Sequence, residues 1–549
     1  MSGINVAGVH NFYKFVLGRS NALPAFRATV KPNNYLLMKL FRTHPAWLPL
    51  VLLFSGVFGA NAAAAQAAVT IRPAAVIKHN ATGANGVNIV YPLDNDKYFP
   101  RKTPMVAALK NIGVGCLRFS EGHLADNYLW TVPPYEDAIK GLRPRVATME
   151  DVPANWTWLT DKDGFFMNDL DFDDFVALCK KVGAEPIVTV NVQSYVYKGG
   201  PTKEFLINSV KEWVRYANVV RKYGVKYWQL GNEVEKFYVE KDTKPPVKSL
   251  REIMSKEDYC DIWGKMATAM KEVDPTIHVG TGVMSAPDWN QAVLEQFPGL
   301  VSFISCHQYT WGASFCSGGY PAWAAYQGVH IPNIEKMQKL LDGNPAWKNI
   351  EIVITETGST GGSWPERLEL QSGDKGEKGR YTNDLYKALN NWEMATAELA
   401  TPAVKYLTIW CSRTPWRGPH PIVGIEAQFD ADNNPTPTGK VTELINEYMY
   451  ADMLEMPYVD GNLRLRASAT TDKGFVSLFV LNKGDRTEKV DFSVDSPGRY
   501  TLVERVEFSG KSPIDQNPVI TKKAVKSADK AQNAQVPPCS LTIFKFKKG

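Results

Sequence analysis

The chain has 549 residues, of which 44% are hydrophobic and 22% charged, and its formal net charge is +5. It is too long for one ordinary domain, and its composition is typical of globular domains with an apolar core rather than of a disordered chain. Lys and Arg are interspersed with Asp and Glu, so the basic face that nucleic-acid binding requires is not predicted. The sequence therefore predicts two folded domains and no nucleic-acid partner.

An export signal is predicted near the N-terminus. From Met38 the sequence reads MKLFRTHPAWLPLVLLFSGVFGANAAAAQAA, a basic start followed by an apolar run and by small residues with cleavage sites after Ala62 or Ala67. The apolar run is short for a membrane span of about 20 residues, which favours a cleaved signal over a retained anchor. Residues 38–67 are therefore predicted to be the signal peptide of a secreted or periplasmic protein. Residues 1–37 are interpreted as a non-native or unstructured extension outside the fold.

No metal or cofactor is expected. The seven cysteines form no C-x-x-C pair, so a zinc site is not predicted, and they are interpreted as buried apolar residues. The segment DADNNPTP from Asp430 lacks the Gly and Glu of a calcium-binding EF-hand loop and is interpreted as a turn.

Residues 85–455 alternate short apolar runs, rich in β-branched residues, with amphipathic helical stretches. This alternation is typical of repeated βα units around a parallel sheet. Eight such units predict an α/β fold, a closed (β/α)8 TIM barrel. The predicted strands are GVNIV from Gly86, VGCLRF from Val114, EPIVTVN from Glu185, VKYWQLGNE from Val225, IHVGTG from Ile277, VSFISCHQY from Val301, IEIVITE from Ile350 and VKYLTIW from Val404.

Residues 456–549 change to period-two alternation without helices, as in NLRLRASATTDKGFVSLFVLN and CSLTIFKFKKG. This pattern predicts a C-terminal antiparallel β-sandwich. The segment VTIRPAAVIKHN, within residues 68–84, is also strand-like and is predicted to complete the sandwich from the other side of the barrel.

Two glutamates directly follow predicted barrel strands. Strand four ends in Gly231-Asn232-Glu233 and strand seven in Thr355-Glu356-Thr357. The C-terminal ends of the strands form the open mouth of such a barrel, so both carboxyl groups are expected there. Such a pair suits glycoside cleavage, in which one carboxylic acid protonates the leaving oxygen and the other carboxylate attacks the anomeric carbon. A rim salt bridge or a helix cap would explain one lone Glu better than two at matching positions.

These positions resemble clan A glycoside hydrolases. The resemblance implies that Glu233 is the acid/base and Glu356 the nucleophile of a retaining enzyme, and that Asn232 contacts the sugar. It also implies substrate-site roles for six further residues at strand ends: Arg118, Asn191, His307, Tyr309, Trp311 and Trp410. A donor bonded to Glu356 would stabilise its negative charge, which in turn would raise the pKa of Glu233 and keep it protonated.

Within the clan, the chain most resembles family 51, the α-L-arabinofuranosidases, and neighbours such as family 39. LRFSEGHLADNYLW from Leu117 matches the family's LRYPGGNFVSGYxW in length and at several residues, and FDDFVALCKKVGAEPIVTVN and YGVKYWQLGNE follow in the same order. Departures occur at Ser120-Glu121, where the family has Pro-Gly, and at His123, where it has Asn. The resemblance is therefore more specific for catalysis than for the sugar.

The resulting functional prediction is a retaining hydrolase of a plant or algal glycan, most similar to an α-L-arabinofuranosidase, with an oligo- or polysaccharide substrate and no retained membrane anchor. An endo-acting xylanase, glucanase or agarase would use the same pair of glutamates. A non-catalytic carbohydrate-binding barrel is the alternative from another class, and the presence of both glutamates counts against it. The segment CSRTPWRGPHP from Cys411 is basic and aromatic, which suits an acidic sugar or an ordinary loop.

Overall fold

The structure is a computed structural model. It describes residues 67–79, 81–151, 158–237, 254–310, 313–315, 319–359, 383–413, 427–457, 459–525 and 534–549. Residues 1–66, which include the extension and all of the predicted signal peptide except Ala67, lie outside these residues, as does Trp311. Among the described residues, no helix combines the length and the apolar character needed to span a bilayer.

The strands and helices follow in chain order. The strands are β1 (Ala67–Ile71), β2 (Val76–Lys78), β3 (Asn85–Asn88), β4 (Cys116–Phe119), β5 (Tyr128–Leu129), β6 (Arg145–Val146), β7 (Glu185–Val190), β8 (Tyr227–Leu230), β9 (His278–Thr281), β10 (Val301–Tyr309), β11 (Glu351–Gly358), β12 (Val404–Ile409), β13 (Asp452–Leu454), β14 (Val459–Asp460), β15 (Leu463–Ala469), β16 (Phe475–Asn482), β17 (Glu488–Val494), β18 (Tyr500–Ser509), β19 (Val519–Ala524), β20 (Ala534–Val536) and β21 (Ser540–Lys548). The α-helices are α1 (Met105–Asn111), α2 (Phe172–Val182), α3 (Lys203–Val214), α4 (Lys256–Val273), α5 (Pro287–Gln296), α6 (Gly319–Ala325), α7 (Pro332–Asp342), α8 (Leu385–Ala400) and α9 (Pro437–Tyr448).

Eight parallel strands close into a barrel in the order β3, β4, β7, β8, β9, β10, β11 and β12. Each of the eight predicted strand segments overlaps one of them, so the predicted barrel is confirmed. Several of the helices between them begin with a side-chain cap; the Asp171 side chain, for example, accepts from the backbone N–H of Asp174 at the start of α2.

The barrel interior changes from apolar to polar along the strands. Because side chains two residues apart in a strand share a face, one strand contributes to successive interior layers. Cys116, Ile187, Tyr227, Phe303 and Val353 form a buried apolar layer. Two residues further along β4, β7, β8 and β11 stand the polar side chains of Arg118, Thr189, Gln229 and Thr355, which are all buried. This polar layer supports the groups at the mouth.

The sandwich combines strands that precede the barrel in the sequence with strands that follow it. One sheet has the order β1, β17, β20, and β1 pairs in parallel with β17, with Val69 opposite Phe492. The other sheet runs β19, β18, β21, β16, β15, β13, β2, with β14 beside β15. Val69 and Ile71 share an apolar cluster with Leu465 and Phe544 of the facing sheet. Segment 68–84 thus contributes strands to both sheets.

The barrel and the sandwich share an apolar cluster, in which Phe479 and Leu541 of the sandwich join the barrel helices. A charged group is buried at the same junction. Glu393 of α8 accepts from Arg464 Nε at 3.2 Å and from Lys483 Nζ at 3.0 Å, and from Trp323 Nε1 at 2.7 Å. Glu393, Arg464 and Lys483 are all at most 2% exposed in their side chains, and burial lowers the pKa of Lys483 to about 8.

Candidate active site

Glu233 and Glu356 lie at the mouth of the barrel, as the strand-end rule predicts. Glu233 follows β8 after a tight turn at Gly231, whose φ is 92°. A Cβ on Gly231 would lie 2.5 Å from the Val234 side chain, so only glycine fits there. Glu233 itself has φ 48°, a left-handed conformation that is uncommon for a residue with a side chain and that is often kept at functional sites.

Arg118 of β4 holds Glu356 in place. Its guanidinium is fully buried, and Nη1 donates to Glu356 Oε1 at 2.9 Å while Nη2 donates to Asn232 Oδ1 at 2.7 Å. Two further bonds go to the polar layer of the barrel, with Nε donating to both Thr189 Oγ1 and Gln229 Oε1 at 3.0 Å. Arg118 therefore orients Glu356 and Asn232 together from a fixed position.

His307 and Tyr309 of β10 contact the two carboxylates. His307 Nδ1 lies 3.0 Å from Glu233 Oε1 and 3.4 Å from Glu356 Oε2, and its Nε2 lies 3.0 Å from Thr355 Oγ1. The Tyr309 hydroxyl donates to Glu356 Oε2 at 2.7 Å. A shift of register between β10 and β11 places His307 directly opposite Glu356. The imidazole thus stands between the two carboxylates.

The two carboxylates are close enough for a double displacement. A carboxylate oxygen of Glu233, a ring nitrogen of His307 and a carboxylate oxygen of Glu356 all lie within 4.8 Å of one another. Retaining glycosidases place their carboxyl groups about 5 to 5.5 Å apart, whereas inverting enzymes need room for a water between them. Such a trio also has the spacing of metal ligands, but the cationic groups of Arg118 and Lys236 already bind its carboxylates.

The expected raised pKa of Glu233 is wrong for this structure. Lys236 lies three residues after Glu233, and its ammonium forms an ion pair with Glu233 Oε2. Burial acts to raise the pKa of Glu233, but the Lys236 ammonium and the hydrogen bond to His307 outweigh it and hold this pKa well below its usual range. The sequence analysis considered the charge of Glu356 but not this cation.

A third carboxyl group lies beside Glu356. Glu121, in the loop after β4, is fully buried with φ 72°, and its Oε2 accepts from the backbone N–H of Leu124 at 3.2 Å. Its Oε1 has no hydrogen-bond partner among the described residues. Burial, reinforced by the charge of Glu356, raises the pKa of Glu121 to about 8. The next residue, Gly122, lies between Glu356 and the indole of Trp410.

Of the other candidate residues, Trp410 lies beside the two glutamates, whereas Asn191 and Arg413 make other contacts. Trp410 is 7% exposed, and its ring borders Gly122 beside Glu356. Asn191 bonds to backbone instead: its Oδ1 accepts from the Ser194 N–H at 3.1 Å and its Nδ2 donates to the Tyr128 carbonyl at 3.4 Å. Arg413, in the basic segment after strand eight, is buried in an ion pair with Asp94, and residues 414–426 lie outside the described residues.

Sequence reasoning missed several residues of the site. Asn88 at the end of β3 accepts from Arg118 Nη1 at 2.9 Å and donates to the Thr355 carbonyl at 3.0 Å, so it ties Arg118 to β11. Its place at the end of the first barrel strand was the available signal. Lys236 could have been found from its position, because it is a cation three residues after Glu233.

The chain is similar to curated and solved glycoside hydrolases. It is 28% identical over 215 residues to α-L-arabinofuranosidase C of Emericella nidulans, an alignment that covers 37% of this chain and only 36% of that relative. No family model matches the chain. The chain therefore spans well under two thirds of the length of this curated relative.

Two solved structures share the fold. The family 51 α-L-arabinofuranosidase of Thermotoga petrophila superposes with a TM-score of 0.60 at 18% identity, over 87% of this chain and 99% of that one. A family 44 xyloglucanase of Paenibacillus polymyxa superposes with a TM-score of 0.57 at 15% identity, over 88% and 100%. In sequence and fold, the chain is thus close to the family 51 glycoside hydrolases of clan A.

Proposed function

We propose that the protein is a retaining glycoside hydrolase of the α-L-arabinofuranosidase type. The observation that carries the proposal is the Glu233–His307–Glu356 trio, whose ligand atoms lie within 4.8 Å of one another at the mouth of the barrel. Two carboxyl groups at this separation leave room for a sugar carbon but not for an additional attacking water, which favours retention.

In the first step, a Glu356 oxygen forms a bond to the anomeric carbon while the bond from that carbon to the leaving oxygen breaks. Glu233 gives its proton to that oxygen. Arg118 and Tyr309 each bond to one oxygen of Glu356, and these donors orient the carboxylate for attack. In the second step, Glu233 removes a proton from water, which attacks the anomeric carbon and releases Glu356.

The sugar would be bound by Asn232 and Trp410, which lie beside the two glutamates at the mouth of the barrel. Asn232 Oδ1 accepts a hydrogen bond from Arg118, so the amide NH2 of Asn232 is the group that would donate to a sugar hydroxyl. The Trp410 indole supplies an apolar face on which a sugar ring can stack. The arabinofuranosyl preference is supported by the curated relative's name and by the family 51 fold.

An endo-acting glycanase with the same catalytic pair is the second candidate. It is supported by the likeness in fold to the Paenibacillus polymyxa xyloglucanase. The two candidates differ in the product that first appears from a polysaccharide. A furanosidase releases single sugars, whereas an endo-enzyme lowers the viscosity of the polymer before monosaccharide appears.

The test is a screen of the purified protein against aryl glycosides, with 4-nitrophenyl α-L-arabinofuranoside first, and a panel of plant and algal polysaccharides. The anomer formed at early times is read by proton NMR. The α-anomer of arabinose as first product supports the proposal. The opposite anomer would refute retention, and a protein that cleaves no glycoside would refute the hydrolase assignment.

We also propose that the protein is exported with cleavage of residues 38–67 at one of the two predicted sites. Strand β1 begins at Ala67, so cleavage after Ala62 would leave the whole strand in place, whereas cleavage after Ala67 would remove its first residue. N-terminal sequencing of the secreted or periplasmic form tests this proposal, and an intact Met1 or Met38 would reject it.

A further inference from the structure

Glu235 lies two residues after Glu233, in the short 3₁₀ turn that follows β8, and binds a neighbouring loop. Its carboxyl group accepts hydrogen bonds from two successive backbone N–H groups. The Met284 N–H donates to Oε1 at 2.9 Å and to Oε2 at 3.0 Å, and the Ser285 N–H donates to Oε1 at 2.6 Å. Successive N–H groups that point at one acceptor form a nest, which favours an acidic group. Glu235 therefore holds the loop that follows β9, residues 282–285, which we call the β9 loop.

The β9 loop also bonds to β10, the strand that carries His307. The backbone N–H of His307 donates to the Met284 carbonyl at 2.9 Å. Two residues earlier on β10, the Ser305 hydroxyl donates to the Val283 carbonyl at 2.8 Å. The ladder between β9 and β10 reaches Phe303, and beyond that residue the loop lies beside β10. The loop therefore supports the end of β10 at His307.

One loop thus links the turn of the acid/base to the histidine that contacts it. Glu233 and Glu235 flank Val234, whose backbone N–H donates to the Gly282 carbonyl at 3.1 Å. On the other side of the loop, His307 Nδ1 lies 3.0 Å from Glu233 Oε1. Loss of the hydrogen bonds from Glu235 would release the loop, and the separation of Glu233 from His307 would change with it.

Glu356 depends less on the β9 loop. Arg118 of β4 donates to Glu356 Oε1 at 2.9 Å, and Arg118 is itself bonded to Thr189 of β7 and Gln229 of β8. A displacement of the loop should therefore disturb Glu233, the proposed acid/base, more than Glu356, the proposed nucleophile.

We propose that Glu235 is a positioning residue for acid/base catalysis, which holds the β9 loop and through it the separation of Glu233 from His307. The inference rests on the proposed function and adds to it a residue that acts through the loop rather than on the substrate. A general acid must lie within hydrogen-bond reach of the oxygen that it protonates. A misplacement of about 1 Å can lower the rate by about 10²-fold. Glu235 therefore controls proton transfer to the leaving oxygen.

The test compares two aryl glycosides of a sugar that the enzyme accepts. A 2,4-dinitrophenolate leaves without protonation, whereas a phenol needs the acid. For both substrates kcat/KM reports the formation of the glycosyl-enzyme, so the ratio of the two kcat/KM values measures acid catalysis. A change that only destabilises the fold lowers both values by the same factor and leaves this ratio unaltered.

Two variants of Glu235 separate the hydrogen bonds from the charge. Glu235→Leu fills a similar space but cannot accept a hydrogen bond. It should lower kcat/KM on the phenyl glycoside by roughly 10²-fold and on the dinitrophenyl glycoside by less than about threefold. Glu235→Gln should keep most of the activity on both, because Oε1 already accepts from both Met284 and Ser285 and an amide carbonyl can do the same.

Ser305→Ala tests the link from the other side of the loop. It removes the hydrogen bond to the Val283 carbonyl and should also lower kcat/KM more on the phenyl than on the dinitrophenyl glycoside. Because both changes act through the same loop, the loss in Glu235→Leu/Ser305→Ala should be smaller than the product of the two single losses. This variant also supplies the measurement if Glu235→Leu does not fold.

Asp274→Leu is the matched control. Asp274 accepts from the backbone N–H of Thr276 at 2.9 Å, in the turn that precedes β9 at the opposite end of the strand from the β9 loop. Its loss should leave the ratio of the two kcat/KM values at the wild-type level.

Equal losses on the two glycosides in Glu235→Leu, or wild-type kinetics in that variant, would overturn the inference and leave the proposed function intact. A loss in Glu235→Gln as large as that in Glu235→Leu would overturn it as well, because the charge and not the contact with the loop would then matter. Independent losses in Glu235→Leu and Ser305→Ala would exclude the loop as the link. A wild-type protein that hydrolyses neither glycoside would overturn the proposed function and this inference with it.

Discussion

Gly122 lies directly against the carboxylate of Glu356: a Cβ on Gly122 would come within 2.5 Å of Glu356 Oε1. The same Cβ would lie 3.2 Å from the Trp410 ring, and Arg118 already bonds to the Oε1 that would have to move. The absence of a side chain at Gly122 is therefore required for the observed position of the Glu356 carboxylate.

Gly122→Ala should displace Glu356 and lower kcat by about 10²-fold, because a misplacement of about 1 Å is enough for such a loss. The measurement is the steady-state kinetics on an activated aryl glycoside, together with the unfolding midpoint in denaturant. Gly343→Ala is the control, because Gly343 follows α7 with a helical φ of −70°, and a Cβ there would lie 3.3 Å from its nearest neighbour, the Leu340 carbonyl oxygen. Wild-type kcat in Gly122→Ala would show that Glu356 tolerates the displacement.

Glu356 and Glu233 should respond differently to truncation. Glu356→Ala should lose activity by at least about 10³-fold, since no glycosyl-enzyme can form, and azide should restore turnover with an inverted glycosyl azide as product. Glu233→Ala should still react with an activated leaving group, accumulate the intermediate, and yield a retained azide product. The stereochemistry of the azide is read by NMR.

Glu351→Gln is the matched control for both variants, because Glu351 starts the same strand that carries Glu356 but bonds to the Tyr227 hydroxyl at the other end of the barrel. It should retain near wild-type kinetics. The opposite pattern of azide products would reverse the two catalytic roles, and full activity in both alanine variants would place the active site elsewhere.

Glu121 should make stability depend on pH. Its pKa is about 8 in the folded protein against an ordinary value of 4.5, so between these values the folded state holds a proton that the unfolded chain has lost. The free energy of unfolding therefore falls as pH rises through this window, by on the order of a few kcal/mol. Glu121→Gln, which cannot ionise, should gain stability relative to wild type between pH 5 and pH 8.

Denaturant unfolding at several pH values measures this difference. Glu136→Gln, at an exposed position, serves as the control, and its difference from wild type should stay constant over the same range. A constant difference for Glu121→Gln as well would mean that Glu121 is already ionised at pH 5 in the folded protein.

The buried group at Glu393 should be essential to the junction of barrel and sandwich. Glu393→Gln leaves Arg464 and Lys483 without an anion, and removal of one partner from a buried ion pair costs about 3–5 kcal/mol. Glu447→Gln breaks a half-exposed pair with Lys522 and should cost less than about 1 kcal/mol. Denaturant unfolding compares the two variants, and equal small losses would show that water replaces the missing charge.

The barrel was predictable because its signals are local. Each strand is a short apolar run, and Glu233 and Glu356 directly follow two of these runs, so the strand-end rule places both at the mouth without knowledge of contacts. Arg118 and His307 were identified by resemblance, and the structure places Arg118 in hydrogen-bond contact with Glu356 and His307 in hydrogen-bond contact with Glu233.

The other features of the site depend on the direction in which loops and side chains turn, and local sequence patterns do not encode that direction. The pairing of Lys236 with Glu233 depends on the 3₁₀ turn over Val234–Phe237 and on the left-handed φ of Glu233. The burial of Glu121 depends on how the loop after β4 folds back towards Glu356. Asn191 is of a residue type that commonly contacts sugars, yet its side-chain amide is hydrogen-bonded to the backbone of Tyr128 and Ser194. The sequence does not indicate these contacts.

The parallel pairing of β1 with β17 links Val69 to Phe492, two residues separated by the entire barrel sequence. During synthesis, the first strand must therefore wait until the barrel and most of the sandwich have been made before its partner exists. Contacts of such long sequence separation slow folding, and an unpaired strand edge promotes association with other chains. The delay favours a chaperone-bound nascent chain, and it makes a prematurely terminated product, with β1 exposed, a target for proteolysis.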